Sequence, residues 1–257
     1  MLRNRVIMTL SVLLNESGTL RPGAAELIEE LGNTGSSFLI LTERSLQNTA
    51  EIAADLQKRG LRGVRAEHIY TTAMAAAERI HTYAPGKNKA GYIGGKAIEE
   101  ALSVNEFSIV QEHADWLFIG KDRNAVFTDY GYALKLIAEG AEMIAVDIAR
   151  LDKGRDAVYP GPGAVVKMLE HASGRKAVMM CFPSHHLLAA AMRHMNALQE
   201  ETVFVCTDLK TEVTAGKKCG VLTVLAVDGY DQNQGLFDQK IHPDMVISDL
   251  RGLYGRD

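Results

Sequence analysis

The chain alternates short apolar runs with amphipathic stretches along most of its length. The first run, Val6-Ile7-Met8-Thr9-Leu10-Ser11-Val12-Leu13-Leu14-Asn15, is filled by β-branched and large apolar residues and is stopped by Asn15-Glu16-Ser17-Gly18, the pattern of a buried strand. Arg21-Pro22-Gly23 leads into a helical pattern over 24–31, with Leu27, Ile28 and Leu31 on one face, and Gly32-Asn33-Thr34-Gly35 ends it. Residues 37–42 read as a second buried strand and 45–59 as a second helix, capped by Ser45 or Asn48. A short strand or turn over 68–72 precedes a third helix over 73–81. Parallel strands need a crossover, so this alternation predicts βαβ units and a parallel sheet covered by helices on both faces.

Tyr83-Ala84-Pro85-Gly86-Lys87-Asn88-Lys89 gathers turn formers and positive charge and reads as a linker. A second α/β pattern follows, with strands over 90–94, 116–120 and 143–146 and helices over 96–102 and 127–139. Tyr159-Pro160-Gly161-Pro162-Gly163 is a rigid turn before a helix over 164–171, and Ser173-Gly174-Arg175 is the return linker. The first pattern then resumes with strands over 177–181, 203–206 and 221–225, helices over 185–198 and 212–219, a last strand over 245–247 and a terminal turn over 250–254. The prediction is an α/β protein with a Rossmann-like parallel-sheet core, residues 1–82 plus 177–257, and an inserted smaller α/β cap domain, residues 83–176.

Composition is ordinary for a globular protein: 257 residues, 47% hydrophobic, 23% charged and a formal net charge of −4. Mild acidity without a dense Lys/Arg stripe argues against nucleic acid as a partner. No stretch reaches 18 uninterrupted apolar residues, so no membrane partner is expected. Cys181, Cys206 and Cys219 are too few and too irregular for a disulfide framework or zinc knuckle; they read as buried apolar residues in a reducing, cytoplasmic protein.

The order of these pieces resembles the haloacid dehalogenase superfamily, and within it the p-nitrophenylphosphatase and nucleotide phosphatase branch. Several landmarks carry the resemblance. Tyr70-Thr71-Thr72-Ala73-Met74 is similar to that branch's Thr-Thr-x-Met, the run Ala114-Asp115-Trp116-Leu117-Phe118-Ile119-Gly120-Lys121-Asp122-Arg123 to its cap strand running into Gly-x-Asp-Arg, and Tyr159-Pro160-Gly161-Pro162-Gly163 to its Pro-Gly-x-Gly turn. The resemblance implies a phosphatase-like core with Mg²⁺ and a first strand ending in Asp-x-Asp-Gly-Thr, whose aspartates act as nucleophile and general acid/base.

The chemistry-bearing positions depart from that pattern together. Anchored by Asn15, Met8-Thr9-Leu10-Ser11-Val12 puts Met8 at the nucleophile and Leu10 at the acid/base position. Thr42 keeps the phosphate-holding strand end, Phe182 replaces the lysine before Pro183, and Thr207 and Glu212 replace the metal-binding aspartates. A thioether cannot form an aspartyl-phosphate and a leucine cannot move a proton. Val146-Asp147-Ile148-Ala149-Arg150 also departs from the branch's polar substrate segment in the cap. Exchanging a whole buried charge cluster for packed apolar groups is often neutral or stabilising, so Met8, Leu10 and Phe182 are expected in core.

The reading is a phosphatase-like protein without the superfamily's catalytic set and without a cofactor: a pseudophosphatase acting in binding or regulation. Its expected partners are an unknown protein, a small phosphorylated ligand or a second copy docked through the cap. The alternative is a metal-dependent phosphate-ester hydrolase with a relocated site around Thr42, Asp208 and Glu212, with His185 and His186 as further ligands. The bland account of Asp208 and Glu212 is a helix cap and a solvated first-turn carboxylate. Gly161-Pro162-Gly163 lacks the Lys-Ser/Thr of a phosphate loop.

Overall fold

A computed structural model describes residues 5–153, 157–227 and 241–254, and the chain in it divides into two compact units. The first unit comprises 1–42, 49–70 and 182–257. Its chain order is β1 (Arg5–Thr9), α1 (Leu10–Leu13), α2 (Ala24–Asn33), β2 (Ser37–Thr42), α3 (Thr49–Lys58) and β3 (Ile69–Thr71). The later part adds α8 (His186–His194), β11 (Thr202–Cys206), a π-helical turn (Leu209–Val213), α9 (Thr214–Cys219), β12 (Leu222–Ala226), β13 (Met245–Ile247) and a 3₁₀ turn (Leu250–Leu253). The sheet order is β13-β12-β11-β1-β2-β3, which places β1 between β11 and β2 with parallel register on both sides.

The first apolar run is not strand throughout. It ends as strand at Thr9 and winds into the single helical turn α1. Side chains in a strand alternate between two faces, so a continued strand would send Leu10 and Val12 one way and Leu13 the other. The turn instead buries Leu10, Val12 and Leu13 in the same apolar cluster as Val6 and Met8 and leaves Ser11 at its polar side.

The second unit comprises 43–48 and 71–181. It holds α4 (Thr72–Tyr83), β4 (Lys89–Ile93), α5 (Lys96–Val104), β5 (Ser108–Ile109), β6 (Trp116–Ile119), α6 (Phe127–Glu139), β7 (Glu142–Ala145), the hairpin β8 (Leu151–Lys153) and β9 (Val158–Pro160), α7 (Pro162–Ser173) and β10 (Val178–Met179). Its sheet order is β10-β7-β6-β4-β5, and β10 pairs in parallel with β7. The strand expected over 177–181 is therefore short and joins this sheet rather than the first one. Its neighbour Met180 is buried in this unit's cluster with Ile144 and Val146. Ala73, Ala76, Ala77 and Ile80 of α4 pack in that cluster too, so the units divide before Thr71 and after Cys181 instead of at 83 and 176. Ser45, expected as a helix cap, instead accepts the Lys121 N–H on its Oγ at 2.7 Å, and α3 begins only at Thr49.

The turn over 159–163 is held by backbone: Gly161 N–H donates to Arg150 O at 2.9 Å and Gly163 N–H to Ala149 O at 3.0 Å. A Cβ on Gly163 would stand 2.3 Å from the Ile148 carbonyl oxygen, which is backbone and has no rotamer to escape into. Gly163→Ala is expected to destabilise this unit by about 1–3 kcal/mol, the usual cost of overpacking. A urea melt in which the variant's midpoint equals that of the parent would contradict this contact.

Candidate functional site

The carboxyl ends of β1 and β11 stand side by side in the first unit, and each runs into a helical turn that presents polar groups. Beyond β11, Asp208 caps the π-helical turn: its Oδ1 accepts the Thr211 N–H and hydroxyl, both at 2.6 Å. This is the helix-cap role expected of Asp208. Glu212 is not the solvated first-turn carboxylate that was expected with it. Its Oε2 accepts the backbone N–H of Thr207 at 2.8 Å and of Asp208 at 3.1 Å.

The β1 side supplies a third donor to the same oxygen. Thr9, 4% exposed, donates its hydroxyl to Glu212 Oε2 at 3.3 Å. With that proton committed, the Thr9···Ser11 contact at 2.9 Å runs from Ser11 to Thr9, and Thr207 donates to Ser11 Oγ at 2.7 Å. The result is a directed relay, Thr207 to Ser11 to Thr9 to Glu212, in which every hydroxyl both finds an acceptor and, at Ser11 and Thr9, serves as one. Arg21 Nε fixes the turn from outside by donating to the Ser11 carbonyl at 2.7 Å.

Withdrawal of the Glu212 carboxylate from water pushes its pKa up, reinforced by the nearby Asp208 charge and opposed by the N–H donors and the Thr9 hydroxyl. Burial also pushes the Cys206 thiol at the end of β11 well above its ordinary value, so it is no nucleophile. All three cysteines are buried and unpaired, as expected from their spacing.

The other sequence-chosen residues fall into two groups. Met8 is fully buried and Leu10 is 8% exposed, both in the apolar cluster under the sheet, where they were expected. They do not line the polar site, however; Thr9 and Ser11, one residue further along, do. Phe182 is buried and stacks on Phe204 of β11, with ring centroids 6.0 Å apart. Thr42 is buried at the end of β2. His185 and His186 pack ring on ring, with centroids 4.6 Å apart, and among the described residues no group of three or more His, Cys, Asp or Glu is placed to hold a metal ion. The missed pair had a legible signal: Thr9 and Ser11 are the hydroxyl residues in an otherwise apolar run, spaced by two.

A Rossmann-like parallel α/β core with polar groups gathered at the carboxyl ends of its central strands, plus a second α/β unit, is the architecture expected of a doubly wound α/β fold with its ligand crevice at that end. The comparisons agree. The profile of the family described as haloacid dehalogenase-like hydrolase matches residues 11–108. The chain is 29% identical over 241 residues to the ribonucleotide monophosphatase NagD of Escherichia coli K12, covering 94% of each. It is 26% identical to the 5'-nucleotidase YutF of Bacillus subtilis, covering 93% of this chain and 94% of that protein. The solved structure of Escherichia coli NagD superposes with a TM-score of 0.86 at 28% identity, covering 97% of each chain. In sequence and fold the chain is thus similar to the haloacid dehalogenase superfamily, and within it to the NagD-type branch.

The Glu212 environment sets a pH dependence. A carboxyl whose pKa is raised on folding binds its proton more tightly in the native state, so its contribution favours folding at acid pH and is lost as pH rises past the ordinary carboxylate range through the raised value. Glu212→Gln keeps an acceptor for the two N–H groups and removes the titration. Urea midpoints of parent and variant from pH 4 to 8 are expected to diverge, with the parent losing ground as pH rises. Parallel curves would show that Glu212 ionises as freely folded as unfolded.

Proposed function

We propose that this protein is a non-hydrolytic member of its branch, a pseudophosphatase that works by binding a small phosphorylated ligand or a protein partner. The observation that most supports the reading is the hydroxyl relay ending on Glu212. Laid on the superfamily pattern in the register the geometry favours, Thr9 and Ser11, rather than Met8 and Leu10, occupy the nucleophile and acid/base positions. Phe182 occupies the lysine position, and Thr207 and Glu212 those of the metal aspartates.

The superfamily's route needs a carboxylate oxygen to attack phosphorus and a second carboxyl to move a proton, a contribution of roughly 10²–10⁴-fold by itself. Thr9 Oγ1 instead spends its proton on Glu212. The donor set does not fit Mg²⁺, a hard cation that takes oxygen acceptors in near-octahedral array. Glu212 Oε2 faces three hydrogen-bond donors, and Asp208 Oδ1 is occupied by Thr211. The names of the relatives, a ribonucleotide monophosphatase and a 5'-nucleotidase, support a phosphorylated small molecule as the ligand class.

One contact favours a second reading. Thr9 Oγ1 lies 3.3 Å from Glu212 Oε2, the pairing of a hydroxyl with a base, as a relocated hydrolase around Thr42, Asp208 and Glu212 would need. The two readings separate in a p-nitrophenyl phosphate assay with Mg²⁺, Mn²⁺ or Zn²⁺. Rates at the protein-free blank are expected; metal-dependent turnover that a Thr42→Ala/Glu212→Ala double variant abolishes would establish the hydrolase instead.

Restoring one aspartate is expected to harm the site. Thr9→Asp sets a second carboxylate at hydrogen-bonding distance from Glu212, a like-charge conflict costing on the order of 2 kcal/mol. Combining it with Glu212→Gln is expected to recover most of that loss in a urea melt. If Thr9→Asp alone melts with the parent, the two side chains do not share a site.

A further inference from the structure

We propose that the first unit carries a second ligand site, a cavity at the amino-terminal edge of its sheet that takes a small molecule bearing an oxyanion. The cavity has a volume of about 670 Å³. It lies at the start of β1 and β2, whereas the hydroxyl relay lies at the end of β1, roughly 13 Å away at the usual rise of a strand. The inference stands on residues that take no part in the relay.

The lining divides into an apolar floor and a rim of N–H donors. Ile28, Leu31, Phe38 and Leu39 form the floor. Arg5, Arg65 and His68 are its donor-bearing lining residues beside His194, with Glu67 as the acidic member. Arg5 is held by donating from Nη1 to Ser37 Oγ at 2.6 Å, its one side-chain hydrogen bond among the described residues, so its remaining N–H groups are available. Arg65 reaches Glu67 Oε1 from Nη2 at 2.7 Å, and both side chains are about two-thirds exposed, a pairing worth little in water and readily exchanged for a ligand.

His68 adds a donor whose tautomer the structure fixes. Its Nδ1 accepts the Arg65 backbone N–H at 3.1 Å, so in the neutral ring the proton sits on Nε2. The ring is positioned against Phe38, with centroids 4.0 Å apart, and His194 is placed by its contact with Tyr70 at 4.8 Å. Gly32 and Gly35 border the cavity on an open side, where a Cβ built on either would meet nothing within 4 Å. Two guanidinium groups and the His68 imidazole against one carboxylate that is itself paired leave an excess of donors, which a phosphate or carboxylate group satisfies by charge-assisted hydrogen bonds.

The test uses the full chain. Pyrophosphate and, separately, citrate are titrated at ionic strength held constant with KCl, and the melting temperature is followed, since a ligand that binds only the folded state must raise it. A saturable rise with either probe is expected; the stronger probe identifies the oxyanion as phosphate or carboxylate. Arg65→Ala, at an exposed position, is expected to weaken the response at least tenfold and Arg65→Glu to abolish it, whereas Lys218→Ala on the exposed surface of α9 leaves it unchanged. The proposal is overturned by the absence of a saturable rise with both probes, or by a response that Arg65→Ala and Arg65→Glu do not alter. It is equally overturned if Thr207→Val removes the response, which would place the anion at the opposite end of the strands.

Discussion

The constraint on which the first unit depends is the need to satisfy one inward-turned carboxylate at the junction of β1 and β11. Glu212 Oε2 collects the Thr9 hydroxyl and the N–H groups of Thr207 and Asp208, and through Thr9 it organises Ser11 and the Thr207 hydroxyl. A carboxylate partly withdrawn from water loses hydration that these donors replace, so each of them contributes to holding it there. They account for local backbone as well as side chains: the turn after β1 must bring Ser11 back toward β11, and the π-helical turn after β11 must fold Glu212 back onto the two successive N–H groups that precede it.

The same place shows how the strand ends of a parallel sheet can carry hydroxyls and apolar groups beside few charges. Removing one partner from a buried ionic cluster leaves the other exposed to a low dielectric, commonly at a cost of about 3–5 kcal/mol, while exchanging the cluster as a whole is often neutral. Here Met8 and Leu10 face the apolar cluster, Phe182 stacks on Phe204, and Thr9, Ser11 and Thr207 present hydroxyls. Of the two acids at this end, Asp208 caps the π-helical turn and Glu212 turns toward the hydroxyls, its proton affinity raised by burial and by the Asp208 charge. These groups are mutually compatible: hydroxyls donate to Glu212, whereas further acids would repel it.

Much of the fold was legible because apolar runs such as Ser37–Thr42 and Thr202–Cys206 are buried strands whose pattern leaves few alternatives. The site was legible one residue out of register. In a strand a shift by one exchanges faces, so anchoring the first run on Asn15 selected Met8 and Leu10, which face the core, instead of Thr9 and Ser11. Propensity alone could not show that the strand stops at Thr9, because the helical turn that follows is apolar and is set by burial of Leu10, Val12 and Leu13. The short strands β5, β8, β9 and β10 carry two or three residues each, too few for a period to emerge, and β10 was assigned to the wrong sheet for that reason.

A parallel sheet offers binding positions at both ends of its strands, but they are chemically unequal. At the carboxyl ends, the N–H groups opening each crossover gather on an acceptor, as Thr207 and Asp208 do on Glu212. At the amino ends, where helices finish and carbonyls point outward, an anion has to be held by side chains instead, and arginine is the residue best suited to that work. Arg5 and Arg65 at the starting edge therefore do by charge what backbone does at the finishing edge. Because the two edges draw on different residues, the chemistry at one end places no constraint on recognition at the other.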